Sequence, residues 1–308
     1  MALSSLPRAA ILRAAESARL RRFVRRYGMR LGAARFVAGE TLDECVAVLR
    51  RLNDAGLHAN TTLLGEAIPD AAGAQAVVAE YERILERLVA EELRANVALK
   101  LTHLGLSFEE ETAYANVERL VAHAGRLGTF VRIDMEQSEF VDATLRIFER
   151  LRAAGHENVG TVLQSYLYRS PEDLERLLPL TPNLRIVKGA YLEPEAIAYR
   201  QKRDVDCAYV RLVERGLRAG AYVAVATHDE RVIRHVQAFT ERERVDRDRF
   251  EFQMLYGVRP ALQRSLVAQS YKVLVATPFG PDWYPYLMRR LAERPANVGF
   301  FLRNLVRR

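Results

Sequence analysis

Residues 221–229 read AYVAVATHD, and residues 184–191 read LRIVKGAY. Each is a short apolar, β-rich run that ends in polar residues, and a longer stretch of helical period separates the two. Six further runs of this kind begin at His58, Asn96, Gly128, Val159, Phe250 and Tyr271. Eight strand–helix alternations without a long linker predict an α/β fold, a parallel (β/α)8 barrel, with a doubly wound sheet as the alternative.

The segment that precedes the first predicted strand has a helical pattern. We expect one helix over Pro7–Tyr27 and a second over Thr41–Ala55, and we expect the last helix of the chain over Asp282–Arg294. The predicted organisation is therefore a helical segment, residues 1–56, packed on a catalytic barrel, residues 57–308.

Composition argues against several classes of protein. The chain has 308 residues and only two cysteines, Cys45 and Cys207, with no Cys/His cluster at zinc-ligand spacing. A disulfide scaffold and a zinc site are therefore not expected, and two free cysteines fit a reducing cytoplasm. No apolar run reaches the ~18 residues of a membrane-spanning helix.

The net charge of +7 is concentrated near the N-terminus, where nine arginines and one acidic residue lie between Arg8 and Arg35. This pattern is typical of a solvated helix face, and also of a contact with an anionic membrane surface or with nucleic acid. No nucleic-acid-binding motif accompanies the charge, so we expect no nucleic-acid partner. A cytoplasmic protein, peripheral at the inner face of the membrane, is one localisation that this charge allows.

Polar residues follow nearly every predicted strand. Because the active sites of such barrels lie at the carboxyl ends of the strands, these residues predict an active site there. They are Lys100, Asp134, Gln164, Arg185, Lys188, Thr227, His228 and Gln253. Lys100 and Lys188 also fit the amines of a Schiff-base lyase, which is the alternative enzyme class.

The last predicted helix carries Tyr286, Arg289, Arg290 and Glu293 at the spacing of one helical face. Two interpretations follow from the spacing. The face is a surface with an Arg289–Glu293 ion pair, or it covers the barrel mouth and offers two guanidinium groups to a carboxylate or phosphate.

Together these motifs resemble the monofunctional proline dehydrogenases, flavoenzymes with a distorted, TIM-like (β/α)8 barrel. The resemblance covers most of the chain. The motifs are RFVAGETLDE from Arg35, LLGE ending at Glu66, ALKLTHLG around Lys100, RIDME around Asp134, LQSYL around Gln164, RIVKGAYLE from Arg185, ATHDE around His228, FQMLYG from Phe252 and YLMRRLAERPAN around Arg289.

The resemblance implies a noncovalent FAD at the carboxyl face, with Arg185 near flavin N5. It implies catalytic roles for Arg185 and for Asp134, whose role is to organise Lys100 or neighbouring groups rather than to abstract a proton. By motif match, the cofactor-binding residues are Met135, Gln164, Arg185, Val187, Lys188, Gly189, Ala190, Tyr191, Thr227, His228, Gln253 and Leu255.

The implied substrate is L-proline, with its carboxylate on Lys100, Arg289 and Arg290 and its ring against the flavin. The substrate-binding set further includes Tyr286 and Glu293, and a Glu66–Arg290 ion pair is expected to close over the bound substrate. The implied product is Δ1-pyrroline-5-carboxylate. Electrons then pass to a membrane quinone, which gives the basic N-terminal segment a use as a peripheral membrane contact.

One position departs from the family pattern. The family carries a tyrosine on the eighth strand, thirteen residues before the first arginine of the pair, and this chain has Ala276 there. Loss of the aromatic wall removes contact area and leaves space for 4-hydroxyproline.

Two further alternatives for the function of the protein are a related flavin barrel acting on folate and a noncatalytic basic module.

Overall fold

The computed structural model describes residues 17–65 and 68–293 and places eight parallel strands in one closed barrel. Each strand pairs with its neighbours in chain order, and β8 pairs with β1. The strands are β1 His58–Leu63, β2 Ala95–Leu99, β3 Val131–Ile133, β4 Val159–Gln164, β5 Asn183–Val187, β6 Tyr222–Ala226, β7 Phe250–Leu255 and β8 Val273–Phe279. The predicted (β/α)8 barrel is confirmed, and the doubly wound sheet is wrong.

Among the described residues, two α-helices precede β1 and one α-helix follows each strand. They are α1 Ala18–Leu31, α2 Leu42–Asp54, α3 Ala71–Ala90, α4 Glu110–Arg126, α5 Ser138–Ala153, α6 Ser170–Leu177, α7 Lys202–Arg218, α8 Glu230–Arg242, α9 Pro260–Ala268 and α10 Trp283–Glu293. The start of α2 is a capping box, in which Thr41 accepts from the Glu44 backbone amide and Glu44 reaches back to the Thr41 amide.

The predicted helix ends need one correction. Helix α1 continues to Leu31, one turn beyond the predicted end at Tyr27, because Gly32, with φ of 126°, is the first residue that leaves the helical conformation. The predicted start of this helix at Pro7 lies outside the described residues.

Alternate residues of each strand point into the barrel, and the strand register shows which ones. Asn60 of β1 pairs with Ala276 of β8, Arg185 of β5 pairs with Val162 of β4, and Gln253 of β7 pairs with Ala226 of β6. These residues line the barrel interior, while their chain neighbours face the helices and form the apolar core.

Helices α1 and α10 pack on each other in a small apolar cluster that includes Val24, Trp283 and Leu287. Trp283 Nε1 donates to Glu40 Oε1 at 2.5 Å, and Arg25 Nη2 lies 2.5 Å from Asp282 Oδ1. The first turn of α10 is therefore attached to the N-terminal segment. Within the described residues, every helix is too short or too polar to cross a bilayer.

Candidate active site

Arg185 lies at the centre of the barrel interior and is 8% exposed. Three acceptors fix its guanidinium, two on strands β7 and β1 and one directly after β3: Gln253 Oε1 at 2.5 Å from Nε, Asn60 Oδ1 at 2.8 Å from Nη2 and Asp134 Oδ1 at 2.7 Å from Nη1. A guanidinium has five N–H groups, so these bonds use three of them and hold the plane in one orientation.

The side-chain amides that bond Arg185 are themselves oriented by further polar side chains. Asn60 Nδ2 donates to Asn96 Oδ1 on β2, and Gln253 Nε2 donates to Glu251 Oε1 at 2.6 Å. Sequence reasoning missed Asn60, Asn96 and Glu251. The available signal was a polar residue at an inward position inside an otherwise apolar strand.

Lys100 follows directly after β2 and faces the same interior. Burial lowers the pKa of Lys100, the positive charge of Arg289 lowers it further, and the carboxylates of Glu136 and Asp134 oppose both effects. Among the side chains that the structure describes, no carboxylate lies within the 4.0 Å ion-pair distance of Lys100 Nζ. Lys100 is therefore a partly desolvated cation close to acidic groups but not bonded to them.

Glu136 is a buried carboxyl that no sequence motif singles out. Its two oxygens accept from the Thr102 backbone amide at 3.1 Å and from Thr102 Oγ1 at 2.7 Å. Burial raises the pKa of Glu136, while these hydrogen bonds and the Lys100 charge lower it. These two hydrogen bonds fix the position of the Glu136 carboxyl group, whose charge acts on Lys100.

Helix α10 directs its arginines toward the same space. The charge of Arg289 acts on Lys100, and the charges of Arg289 and Arg290 act on Tyr191 in the loop after β5. Burial raises the pKa of Tyr191 to about 12, with Glu136 and Asp134 adding to the rise. The positive charge of α10 therefore acts on Lys100 and Tyr191 near the strand ends. The alternative of a surface with an Arg289–Glu293 ion pair stays a prediction.

Tyr286 is half-buried on this face, and its ring lies 5.3 Å from the guanidinium carbon of Arg290. The side chain of Glu293 and the whole of Glu66 lie outside the described part of the structure.

A second charged cluster lies beside the first, at the ends of β5 and β6. Lys188 Nζ bonds Asp206 and lies 3.7 Å from Asp229 Oδ2, and Lys202 pairs with the same two carboxylates. Burial raises the pKa of Asp206, but its bonds to the two lysines outweigh burial and leave the pKa below its usual range. Asp206 and Lys202 were missed because α7 brings them to Lys188 from 14 or more residues away in the chain.

Gly189 has a structural requirement of its own. Its φ is +109°, and a Cβ at this position would lie 2.3 Å from the Tyr166 ring. The close approach seen here is therefore between the Gly189 backbone and Tyr166, and any larger residue would displace the loop that carries Ala190 and Tyr191.

The other predicted site residues line the same face. Gln164 Nε2 donates to the Glu136 carbonyl at 2.7 Å, His228 Nε2 accepts from the Leu255 amide at 2.9 Å, and Thr227 Oγ1 accepts from the Asp229 amide at 3.1 Å. Met135 is buried, Val187 and Leu255 are half-buried at the ends of β5 and β7, and Ala276 is half-buried in the middle of β8.

The fold and the site define a (β/α)8 barrel enzyme whose mouth combines one rigid guanidinium with further cations suited to an anionic small molecule. The family model described as proline dehydrogenase matches residues 45–303. The chain therefore belongs to the proline dehydrogenase family and is an oxidoreductase.

Known proteins agree with this assignment over the full length of the chain. Proline dehydrogenase of Deinococcus radiodurans is 41% identical over 309 residues, which cover 99% of each chain. Proline dehydrogenase 1 of Bacillus subtilis subsp. natto is 40% identical over 289 residues, 94% of this chain and 95% of the relative.

Among solved structures, proline utilization A (PutA) from Bdellovibrio bacteriovorus inactivated by N-propargylglycine matches 85% of this chain with a TM-score of 0.79 and 25% identity. PutA from Bradyrhizobium japonicum matches 87% with a TM-score of 0.73 and 22% identity, which supports the fold alone. The chain spans 32% and 31% of these two longer proteins.

Proposed function

We propose that this oxidoreductase is an FAD-dependent proline dehydrogenase that oxidises L-proline to Δ1-pyrroline-5-carboxylate, the first step of proline catabolism. One observation carries the proposal: Arg185, fixed by acceptors on β1 and β7 and directly after β3, lies in the same barrel mouth as Lys100, on which the charge of Arg289 of α10 acts. Such an arrangement serves two ligands at once, a redox group beside Arg185 and a carboxylate beside Lys100.

The residues present fit a flavin. Two N–H groups of Arg185 stay beyond the three that the described residues engage, and they suit an acceptor nitrogen such as flavin N5. The half-buried Lys188 and the polar Gln164, Thr227 and His228 suit the ring edge, the ribityl chain and the phosphates. FAD, when bound, supplies the two-electron acceptor for the hydride from the proline carbon beside nitrogen. The other proposed contacts are Met135, Val187, Gly189, Ala190, Tyr191, Gln253 and Leu255.

The proposed role of Lys100, Arg289 and Arg290 is to bind the proline carboxylate. A partly desolvated ammonium, the half-buried Arg290 and the more exposed Arg289 together offer one carboxylate several charge-assisted hydrogen bonds. A carboxylate held at several points orients the ring, and fixed orientation lowers the barrier to hydride transfer. Tyr286 completes the wall on α10, and Glu293 pairs with a cation of this set.

Asp134 has an organising role in this scheme. Its Oδ1 accepts from Arg185 at 2.7 Å, so the carboxylate holds the guanidinium in place and also favours the charged form of Lys100. The amine of proline must lose its proton before the imine forms, and we assign no residue as its base. Glu66 closes over the substrate through Arg290 and excludes water from it.

Ala276 widens the substrate pocket in this proposal. Its side chain points inward beside Asn60 and Leu255, its partners in the strand register. A methyl group in place of an aromatic ring leaves room beside the proline ring, which suits 4-hydroxyproline as a second substrate.

We further propose a membrane quinone as the electron acceptor and the basic N-terminal segment as a peripheral membrane contact. The exposed Arg21, Arg22, Arg25 and Arg26 of α1 support this, because clustered arginines bind anionic lipid headgroups. Removal of residues 1–35 should abolish binding to anionic vesicles. Unchanged vesicle binding by the truncated protein would rule out this contact.

A visible spectrum of the purified protein tests the main proposal. A yellow protein whose flavin band is bleached anaerobically by L-proline is the expected result. A colourless protein that borohydride traps covalently on a substrate would favour a Schiff-base lyase on Lys100 or Lys188 instead. Bleaching by a reduced folate but not by proline would favour the folate-dependent flavin barrel.

A further inference from the structure

A buried carboxylate, that of Glu251, lies beneath Arg185 and has none of the roles proposed above. Its side chain is 4% exposed. Glu251 precedes Gln253 by two residues on β7, so both side chains point into the barrel, one below the other. Glu251 Oε1 accepts from Gln253 Nε2 at 2.6 Å, and Oε2 lies 3.2 Å from Lys272 Nζ toward the floor of the barrel.

The two contacts of Gln253 require one orientation of its amide. Its oxygen accepts from Arg185 Nε at 2.5 Å, and its NH2 group donates to Glu251. A flipped amide would set its NH2 group against the Arg185 N–H and its oxygen against the carboxylate. Both contacts would then be repulsive, so Arg185 and Glu251 select the same orientation from opposite ends.

Burial makes the loss of either contact costly. Gln253 is 4% exposed, so bulk water has little access to its side chain to replace a missing acceptor. Without Glu251, the Gln253 NH2 group lacks this partner and recovers one only by rotating away from Arg185. Arg185 would then keep two of its three acceptors, and its plane would no longer be held at Nε.

We propose that Glu251 is a positioning residue, which acts through Gln253 to hold the Arg185 guanidinium in the orientation that proline oxidation needs. The inference rests on the proposed function, in which Arg185 lies beside the flavin. Glu251 touches neither substrate nor cofactor, since Gln253 and Arg185 lie between it and the mouth.

The test compares Glu251→Met with wild type and with Lys272→Met, which removes the ammonium on the floor side of the carboxylate and its contact with the Tyr222 hydroxyl but leaves the Glu251–Gln253 bond in place. For each FAD-loaded protein, the measurements are kcat per bound flavin, the proline KM, the flavin midpoint potential and Tm. In Glu251→Met we expect kcat per bound flavin to fall about tenfold or more, with a shifted midpoint potential and a KM within about twofold of wild type. Lys272→Met should lower Tm alone.

A merely structural Glu251 would give a different result. Tm and FAD content would fall, but kcat per bound flavin and the midpoint potential would stay at the wild-type values, which would overturn the proposal. Wild-type protein that binds no flavin, or that proline does not reduce, would instead overturn the proposed function itself.

Two further variants keep the test decisive if Glu251→Met folds poorly. Glu251→Gln keeps an acceptor oxygen for Gln253, so most of the lost kcat per bound flavin should return. A Gln253→Met background should make the effect of a second change at Glu251 disappear, because the intermediate residue is already gone. Additive losses in the double variant, or no rescue by Glu251→Gln, would overturn the relay.

Discussion

Two cations at the mouth of this barrel, Arg185 and Lys100, are held in opposite ways. Arg185 has three side-chain acceptors within 2.5–2.8 Å, whereas Lys100 has no carboxylate within ion-pair distance among the described side chains. The first arrangement suits a group that stays bound through many turnovers. In the second arrangement no carboxylate is bonded to the Lys100 ammonium, so the ammonium can attract an anion that binds and dissociates in each turnover. One interior thus supports both permanent and transient binding.

The largest effect is expected when Lys100, the cation that binds a transient anion, is removed. We expect Lys100→Ala to lower proline kcat/KM by ~30-fold or more, because truncating one partner of a buried charge pair costs about 2–5 kcal/mol. The FAD content should stay at the wild-type level. The matched control is Arg83→Ala, which removes an exposed cation on α3. Loss of FAD together with activity would show that Lys100 belongs with the cofactor.

The rigid cation is tested by Asn60→Leu, which removes the acceptor of Arg185 Nη2. We expect kcat per bound flavin to fall about tenfold and the unfolding free energy to drop by about 1–3 kcal/mol. Asn158→Leu serves as the control, since Asn158 Nδ2 bonds only the carbonyls of Val121 and Thr129 on the outside of the barrel. Equal kcat losses in the two variants would contradict a specific role for Asn60.

Ala276→Tyr tests the size of the proposed substrate pocket beside the proline ring. A ring at this inward position adds contact area for proline, and we expect proline kcat/KM to rise roughly fivefold, the equivalent of about 1 kcal/mol. Steady-state kinetics with proline and 4-hydroxyproline measure the effect, and 4-hydroxyproline should lose relative to proline. Ala276→Leu separates bulk from aromatic contact. An unchanged or lower proline kcat/KM would count against the assignment of this pocket.

The smallest expected effect concerns the pH dependence that Glu136 gives to Lys100. The Glu136 charge opposes the lowering of the Lys100 pKa, so Glu136→Gln should lower that pKa further. Because the protonated ammonium binds the carboxylate, activity falls as pH rises through the Lys100 pKa. The alkaline limb of kcat/KM should therefore move to lower pH. Glu149→Gln on the surface is the control, and a shift to higher pH would refute the assignment.

The fold was readable from the sequence because its signals are local. Each strand is a short apolar run that ends in polar residues, and each helix shows apolar residues at helical spacing. The regular alternation of the two along the chain predicts the barrel. The cationic mouth was also readable, since Lys100, Arg185 and the α10 arginines stand at strand ends or on one helical face. Only the orientation of the charged face of α10 stayed open, because residue spacing alone does not show whether that face covers the barrel mouth or faces solvent.

The partners of those cations were not readable. Asn60, Asn96 and Glu251 become significant only when the register of β1, β2 and β7 places them against Arg185 or Gln253. Asp206 reaches Lys188 only after α7 folds back over the barrel. Such pairings depend on distances between elements far apart in the chain, and no local pattern encodes them.

The three acceptors of Arg185 lie 51, 68 and 125 residues away from it along the chain. Gln253 has not yet been synthesised when Arg185 leaves the ribosome, and Asn60 waits at the opposite edge of an open sheet. Contacts of such long range form late in folding. A chain that ends before β7 therefore has Arg185 without the acceptor of its Nε group, and all three contacts that fix the guanidinium exist only once β7 has joined the sheet.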